Sequence, residues 1–152
     1  MGLDIGTKRT GVAISDESQT IAFPSALVQA SHKDDWIRKL LNIIQDYELE
    51  SIVVGLPLNQ HGEEGRDAVN VRQYIALLRD RCSVPVLEWD ERFTTVQAER
   101  ALLEGDISRE DRKTKIDKIA ATILLQAYLD QKRFHRPEGG AESLQGDISA
   151  LS

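Results

Sequence analysis

The sequence predicts an α/β domain built on a mixed β-sheet, and three observations carry that expectation. Three short apolar runs open the chain, separated by polar turn segments. From Ser31 the spacing of apolar residues changes to the helical period. Later apolar runs then alternate with helix-patterned stretches. Closely spaced strands read as an antiparallel meander, whereas right-handed β–α crossovers bring the later strands parallel to the first.

Taken in order, "MGLDI", "RTGVAIS" and "TIAFPSALVQ" are strand-like, with turns at Gly6–Lys8 and Asp16–Gln19. Ser31 is a candidate helix cap with Asp34 at the capping-box position, and Ile37, Leu40, Leu41 and Ile44 fall on one helical face. "SIVVGLP" is apolar without alternation, as in a strand buried on both faces. After the polar loop 59–65, Ala68, Val71, Tyr74, Ile75 and Leu78 mark a second helix, and "VPVLEWDE" is the next strand. Thr94 and Gln97 start a helix that Gly105 ends, and a last helix runs from about Thr114 to Arg133. Pro137 and the glycines beyond it read as a flexible C-terminal tail, so the expected organisation is one domain over 1–136 and a tail over 137–152.

Composition narrows the function. Of 152 residues 41% are hydrophobic and 29% charged, the balance of an ordinary globular domain. No apolar run approaches the roughly 20 residues of a membrane span, and no secretory leader pattern is present. The single Cys82 has no internal disulfide partner, and a cytoplasmic protein is expected. A net charge of −6 argues at first against nucleic acid. The tail, however, holds three of the 25 acids and no base, which leaves 19 bases against 22 acids in the domain. Arg109, Arg112, Lys113, Lys115 and Lys118 form a modest basic stretch that reads equally as a solvated face. His32, His61 and His135 lack ligand spacing, so zinc is not expected. Ser15 and Ser18 have no organised His and Asp partners for serine hydrolysis. Trp36 is expected to pack under the first helix, and Trp89 to pack rather than stack a base.

The element order is the connectivity of the ribonuclease H-like fold, whose first strand is central in a five-stranded sheet of order 3-2-1-4-5. Four motifs, "LDIGTKRTGVAISD" at 3–16, "VVGLPLN" at 53–59, "DERFTT" at 90–95 and "KIDKIAATILLQAYL" at 115–129, together resemble the YqgF/RuvX family of pre-16S rRNA nucleases and Holliday junction resolvase-like proteins. The resemblance covers the chain to about Phe134. Members of that family usually carry several more residues before the first motif. Three residues before Asp4 give a short central strand, and a start upstream of Met1 is the corresponding expectation.

Nucleases of this fold hold one or two Mg²⁺ or Mn²⁺ ions on a few carboxylates, and the resemblance implies the same here. Asp4 on the central strand is then the anchor, against the competing reading of a turn carboxylate accepting backbone donors near Gly6. For the second ligand the resemblance favours Glu91, with Asp90 as a substitute because neighbours on a strand point to opposite faces. The alternative is a surface ion pair of either acid with Arg92. Asp117 is the third ligand by resemblance. It shares a helical stripe with Ala120, Ala121, Leu124 and Tyr128, yet Thr114 and Asp117 also form a capping-box pattern. Lys8, Arg9, Arg92, Lys113 and Lys115 stand near these acids in the sequence and are candidate phosphate contacts. Three functions compete: an endonuclease processing the 5′ end of pre-16S rRNA in ribosome biogenesis, a resolvase of DNA four-way junctions, and a binding protein associated with ribosomes or transcription that no longer cuts. The expected partners are nucleic acid and the ribosome, with no membrane, and the expected state is a monomer or weak homodimer.

Overall fold

The structure is a computed structural model that describes residues 1–59, 61–93 and 109–134, with the backbone alone for 93 and 109–117. Five strands form one sheet in the order β3-β2-β1-β4-β5, as the connectivity predicts. β1 (Gly2–Ile5), β2 (Arg9–Ser15) and β3 (Ala22–Gln29) are the antiparallel meander. β4 (Ile52–Leu56) lies parallel to β1, and β5 (Val86–Asp90) parallel to β4. Helix α1 (Lys33–Ile44) makes the crossover from β3 to β4, and α2 (Arg66–Arg81) the crossover from β4 to β5. Helix α3 (Arg109–Phe134) packs across β1, β2, β3 and β4.

Strand alternation divides the core into two layers. Leu3, Val12, Ile52 and Val54 point to one face, where they meet Trp36, Ile37 and Leu40 of α1 and Val71, Ile75 and Leu78 of α2. Ala13 and Val53 point to the other face, where Ala121, Leu124, Leu125 and Leu129 of α3 cover them with Trp89. Gly2 belongs to this second face, since a side chain there would meet Cβ of Leu125 at 2.8 Å and the Ala121 carbonyl at 3.2 Å. The same alternation places Asp4 on the α3 side, two residues further along β1.

Both tryptophans pack as expected. Trp36 is buried and donates its indole N–H to the Thr10 hydroxyl at 2.8 Å, and Trp89 stands edge-on to Tyr128 at 6.0 Å. The edge strand β5 is flanked by an ion-pair chain, Glu64–Arg72–Glu88–Arg79, and Arg79 also donates to the Val86 carbonyl at 2.7 Å. Charges and satisfied carbonyls of this kind discourage edge-to-edge pairing.

Two boundaries differ from the sequence reading. Helix α1 is capped by His32 rather than Ser31: its Nδ1 accepts the Asp35 N–H at 3.2 Å. An imidazole lone pair at the start of a helix does what the serine hydroxyl was expected to do, one residue later. Helix α3 begins at Arg109, so its backbone runs through Thr114 and Asp117 and neither is the helix start. Arginine, lysine and glutamate of 109–115 are good helix formers, so the helix continues upstream of its first apolar residue. The helix expected over 94–104 and the tail from 137 lie outside the described residues.

Candidate active site

The parallel strands β1, β4 and β5 end on the same side of the sheet, and loops leaving such carboxyl ends are where open α/β sheets form their binding crevices. A cleft of about 240 Å³ lies there. It is lined by Asp4 and Ile5 at the end of β1, Gly6 and Thr7 of the following turn, Pro57 after β4, Glu91 after β5, and Asp67, Asn70 and Val71 at the start of α2.

Asp4 is 6% exposed and is one of only two buried polar or charged residues among those described, the other being Thr10. Its register partner on β2 is Gly11, and the turn beyond it is closed by the Gly6 N–H to the Arg9 carbonyl at 2.8 Å. Glu91 follows β5 directly and opens a single 3-10 turn, Glu91–Phe93. Its carboxylate folds back over β4. An added Cβ at Gly55 would stand 2.5 Å from Glu91 Oε1 and 2.6 Å from Leu124 Cδ1. Gly55 therefore makes the room in which the second acid sits, and a glycine interrupting an otherwise apolar strand was the sequence signal for that close approach.

Asp90 has a different neighbour. Its Oδ1 accepts the Arg92 backbone N–H at 2.9 Å, while Oδ2 accepts Nε at 2.9 Å and a terminal guanidinium nitrogen at 2.6 Å. The Arg92 guanidinium holds the Asp90 carboxyl below its ordinary range, and Asp90 in turn raises the Arg92 pKa. The cleft takes in Glu91 and not Asp90. Of the basic candidates, Lys8 is exposed in the β1–β2 turn beside Gly6 and Thr7, and Arg9 opens β2 half-buried. The side chains of Lys113, Lys115 and Asp117 lie outside the described residues.

Sequence reasoning missed Asp67 and Asn70. Both sit in the first turns of α2, whose N-cap Gly65 offers no side-chain acceptor. The positive end of that helix dipole faces the same cleft. The signal was their place just after the loop that leaves a parallel strand. Among the described residues, then, the cleft holds the carboxylates of Asp4, Glu91 and Asp67, the neutral groups of Thr7 and Asn70, and no lysine or arginine. A phosphodiester approaching these acids would be repelled unless a cation accompanied it.

The donor set suits a hard cation. Asp4 and Glu91 offer oxygen only, and Mg²⁺ or Mn²⁺ needs few protein ligands because it keeps several waters. Among the described residues no cluster of three His, Cys, Asp or Glu forms a fuller cage. A larger cavity, about 560 Å³, lies at the opposite ends of the strands, where Asp16, Glu17, Asp46, Glu48 and Glu50 are among its lining. It receives neither of the two acids that the strand ends bring together.

Comparison with known proteins supplies the remaining findings. The RuvX family model, described as "Holliday junction resolvase", matches residues 1–131. A Caldanaerobacter subterraneus protein named "Putative pre-16S rRNA nuclease" is 46% identical over 88% of this chain and 96% of its own length. Proteins of the same name from Thermoanaerobacter pseudethanolicus and Geobacillus kaustophilus are 45% and 43% identical, each over 88% of this chain and 96% and 98% of their own. Among solved structures, the fowlpox virus Holliday junction resolvase, in complex with its junction DNA, aligns over 86% of this chain and 96% of its own. Its TM-score is 0.50 at 15% identity, which is a likeness of fold.

Proposed function

The chain belongs to the RuvX family of nucleases, and on that premise we propose that it hydrolyses phosphodiester bonds in structured RNA, with the 5′ end of precursor 16S rRNA as substrate and a divalent cation held by Asp4 and Glu91. The observation that carries this reading is the convergence of two acids from separate segments on one cleft, one of them almost wholly buried. Both acids offer oxygen donors alone, the ligand type that a hard divalent cation takes. The choice of RNA rests on the names of relatives at 38–46% identity. Such a substrate places the protein in the cytoplasm beside the maturing small ribosomal subunit.

In this mechanism Asp4, on the central strand, and Glu91, at the end of β5, would hold the cation. When bound, such an ion neutralises charge on the phosphoryl oxygens and acidifies water. The chain supplies the rest. The N-terminal amides of α2 and the Asn70 side chain orient phosphate oxygens without adding a competing positive charge. Lys8, exposed at the mouth, attracts the flanking backbone. Asp67 stands where it accepts a hydrogen bond from a ribose hydroxyl or an ordered water.

A second reading, cleavage of a DNA four-way junction, is favoured by the description of the family model and by the resolvase fold. One assay separates the two. Purified protein is incubated with a precursor 16S rRNA fragment and with a synthetic four-way junction, each with Mg²⁺, Mn²⁺, Ca²⁺ or excess chelator. RNA cleavage with Mg²⁺ or Mn²⁺ and binding without cleavage in Ca²⁺ are expected, because Ca²⁺ takes a larger and looser shell. Cleavage of the junction alone selects the resolvase. Full activity in chelator sinks the metal reading, and ribosome binding without any cleavage identifies a binding protein.

A further inference from the structure

Arg92 stands beside the cleft and reads at first sight as a phosphate contact. Its actual partners are inside the protein. Four contacts join it to Asp90: the backbone N–H to Oδ1 at 2.9 Å, Nε to Oδ1 at 3.1 Å and to Oδ2 at 2.9 Å, and a guanidinium nitrogen to Oδ2 at 2.6 Å. Glu91 is the residue between them. The chain is thus looped around Glu91 and tied at both sides, which sets the direction in which the Glu91 side chain leaves the turn.

The guanidinium has a second contact surface. It lies against Gly62, where an added Cβ would be 3.1 Å from both terminal nitrogens and 3.3 Å from Cζ. Gly62 has φ +80°, so a side chain there would be strained as well as obstructed. The described residues around Gly62 are joined by bonds of their own. Leu58 and Glu64 form a β-bridge, the Asn59 side chain accepts the N–H groups of His61 and Glu63 at 2.9 Å, and the Gly62 N–H donates to the Asn59 carbonyl at 2.9 Å. The near end of this loop is Pro57, a cleft residue, and its far end is Gly65, which starts α2 with Asp67 and Asn70.

We propose that Arg92 is a positioning residue: held by Asp90 and seated on Gly62, it fixes the Glu91 carboxylate over Gly55 and joins the β5 end of the cleft to the loop at its β4 end. Planar, five-donor arginine suits this role. Lysine, a single point charge, reproduces neither the two-oxygen grip on Asp90 nor the flat seat on Gly62. The proposal rests on the nuclease reading for its activity readout, and cation binding tests it separately.

The test compares wild type with Asp90→Asn, Arg92→Ala, Arg92→Lys and the Asp90→Asn/Arg92→Ala double variant, all shown to be folded by circular dichroism. Four quantities are measured: kcat and KM on the cleaved substrate, the salt dependence of nucleic-acid binding, and Mn²⁺ affinity by electron paramagnetic resonance. Residues that act as one unit give non-additive losses. The expected result is a kcat about 10- to 100-fold lower in every variant, the range seen when groups that orient metal ligands are removed. The double variant should be no worse than the singles, Arg92→Lys should not rescue, and Mn²⁺ should bind more weakly in all, with KM and salt slope unchanged. The proposal is overturned if Arg92→Ala lowers the salt slope by about one phosphate contact while Asp90→Asn leaves it alone, if the losses add, or if Arg92→Lys restores kcat. Should wild type cut neither RNA nor DNA, the nuclease reading fails and Mn²⁺ affinity decides alone. Equal weakening in the variants supports positioning; unchanged affinity, or no Mn²⁺ binding by wild type, overturns it. If Arg92→Ala does not fold, Gly62→Ala, which disturbs the same seat from the other side, takes its place with the same expected losses.

Discussion

The two faces of the sheet are made of the same strands and differ in what they are for. On the α1/α2 side large side chains interlock: Leu3, Val12, Val54, Leu40, Ile75 and Leu78 are all fully buried, and the buried Trp36 indole is satisfied by Thr10. On the α3 side the contact surface is reduced to Gly2, Ala13, Gly55, Ala120 and Ala121 at many of the places where chain meets chain. Small residues bring a helix close to a sheet but bury less apolar area, at about 25 cal/mol per Å². What the α3 face gains is room at its end, where Asp4 and Glu91 line one cleft beside β4. Large apolar side chains are concentrated on one face, and the buried Asp4 lies on the other, where small neighbours leave room for its carboxylate.

Substitutions can break this division, and the largest effect should come from Asp4. Asp4→Asn should lower kcat on the order of 10²- to 10³-fold, the scale of removing one dominant electrostatic group, with the melting temperature of the cation-free protein unchanged or higher. A large fall in melting temperature with activity retained would show that Asp4 is a structural turn carboxylate after all.

Next come the two glycines under α3. Gly55→Ala and Gly2→Ala both overpack the same interface, and each should cost about 1–3 kcal/mol of stability. Only Gly55→Ala pushes against Glu91, so it alone should lose activity beyond what unfolding accounts for, as measured by kcat per folded molecule. Equal specific activity in the two variants would remove Gly55 from the site.

The opposite face offers the matching control. Thr10→Val keeps the shape but leaves the Trp36 indole N–H buried and without an acceptor, which should cost about 1–3 kcal/mol in chemical denaturation. Specific activity should stay at the wild-type level. A variant of normal stability and impaired cleavage would mean that the two faces are coupled.

The smallest effect belongs to the far end of the strands. The Ile21 amide, together with the Thr20 amide and the Ser18 hydroxyl, holds the Asp16 carboxyl below its ordinary range. A lowered folded-state pKa stabilises above the unfolded value and is lost as pH falls through the folded one. Asp16→Ala should therefore melt slightly lower than wild type at neutral pH, and the gap should close below about pH 4. Cleavage should not change, since this turn is at the end remote from Asp4. A gap that persists into acid would assign the effect to the turn's shape rather than to the charge.

Much of this molecule could be read from residue order. Strand pattern, helical period and turn residues are local properties, and they were enough for the meander and the two crossovers of an α/β domain, while the 3-2-1-4-5 order rested on the family motifs as well. Asp4 was visible as an acid in an apolar strand, and Glu91 as one of two adjacent acids at a strand end. Residue alternation left Asp90 and Glu91 both open, with only the family resemblance favouring Glu91, since period two stops being a guide where β5 gives way to a 3-10 turn. Tertiary structure sets Glu91 over Gly55 in the cleft and pairs Asp90 with Arg92, whose guanidinium lies against Gly62. Asp67 and Asn70 entered the cleft for the same reason: a helix start has no sequence mark of what it faces, and only the packing of α2 beside the strand ends gives it one. Local pattern determined which elements form, and contacts between distant segments determined which side chains meet.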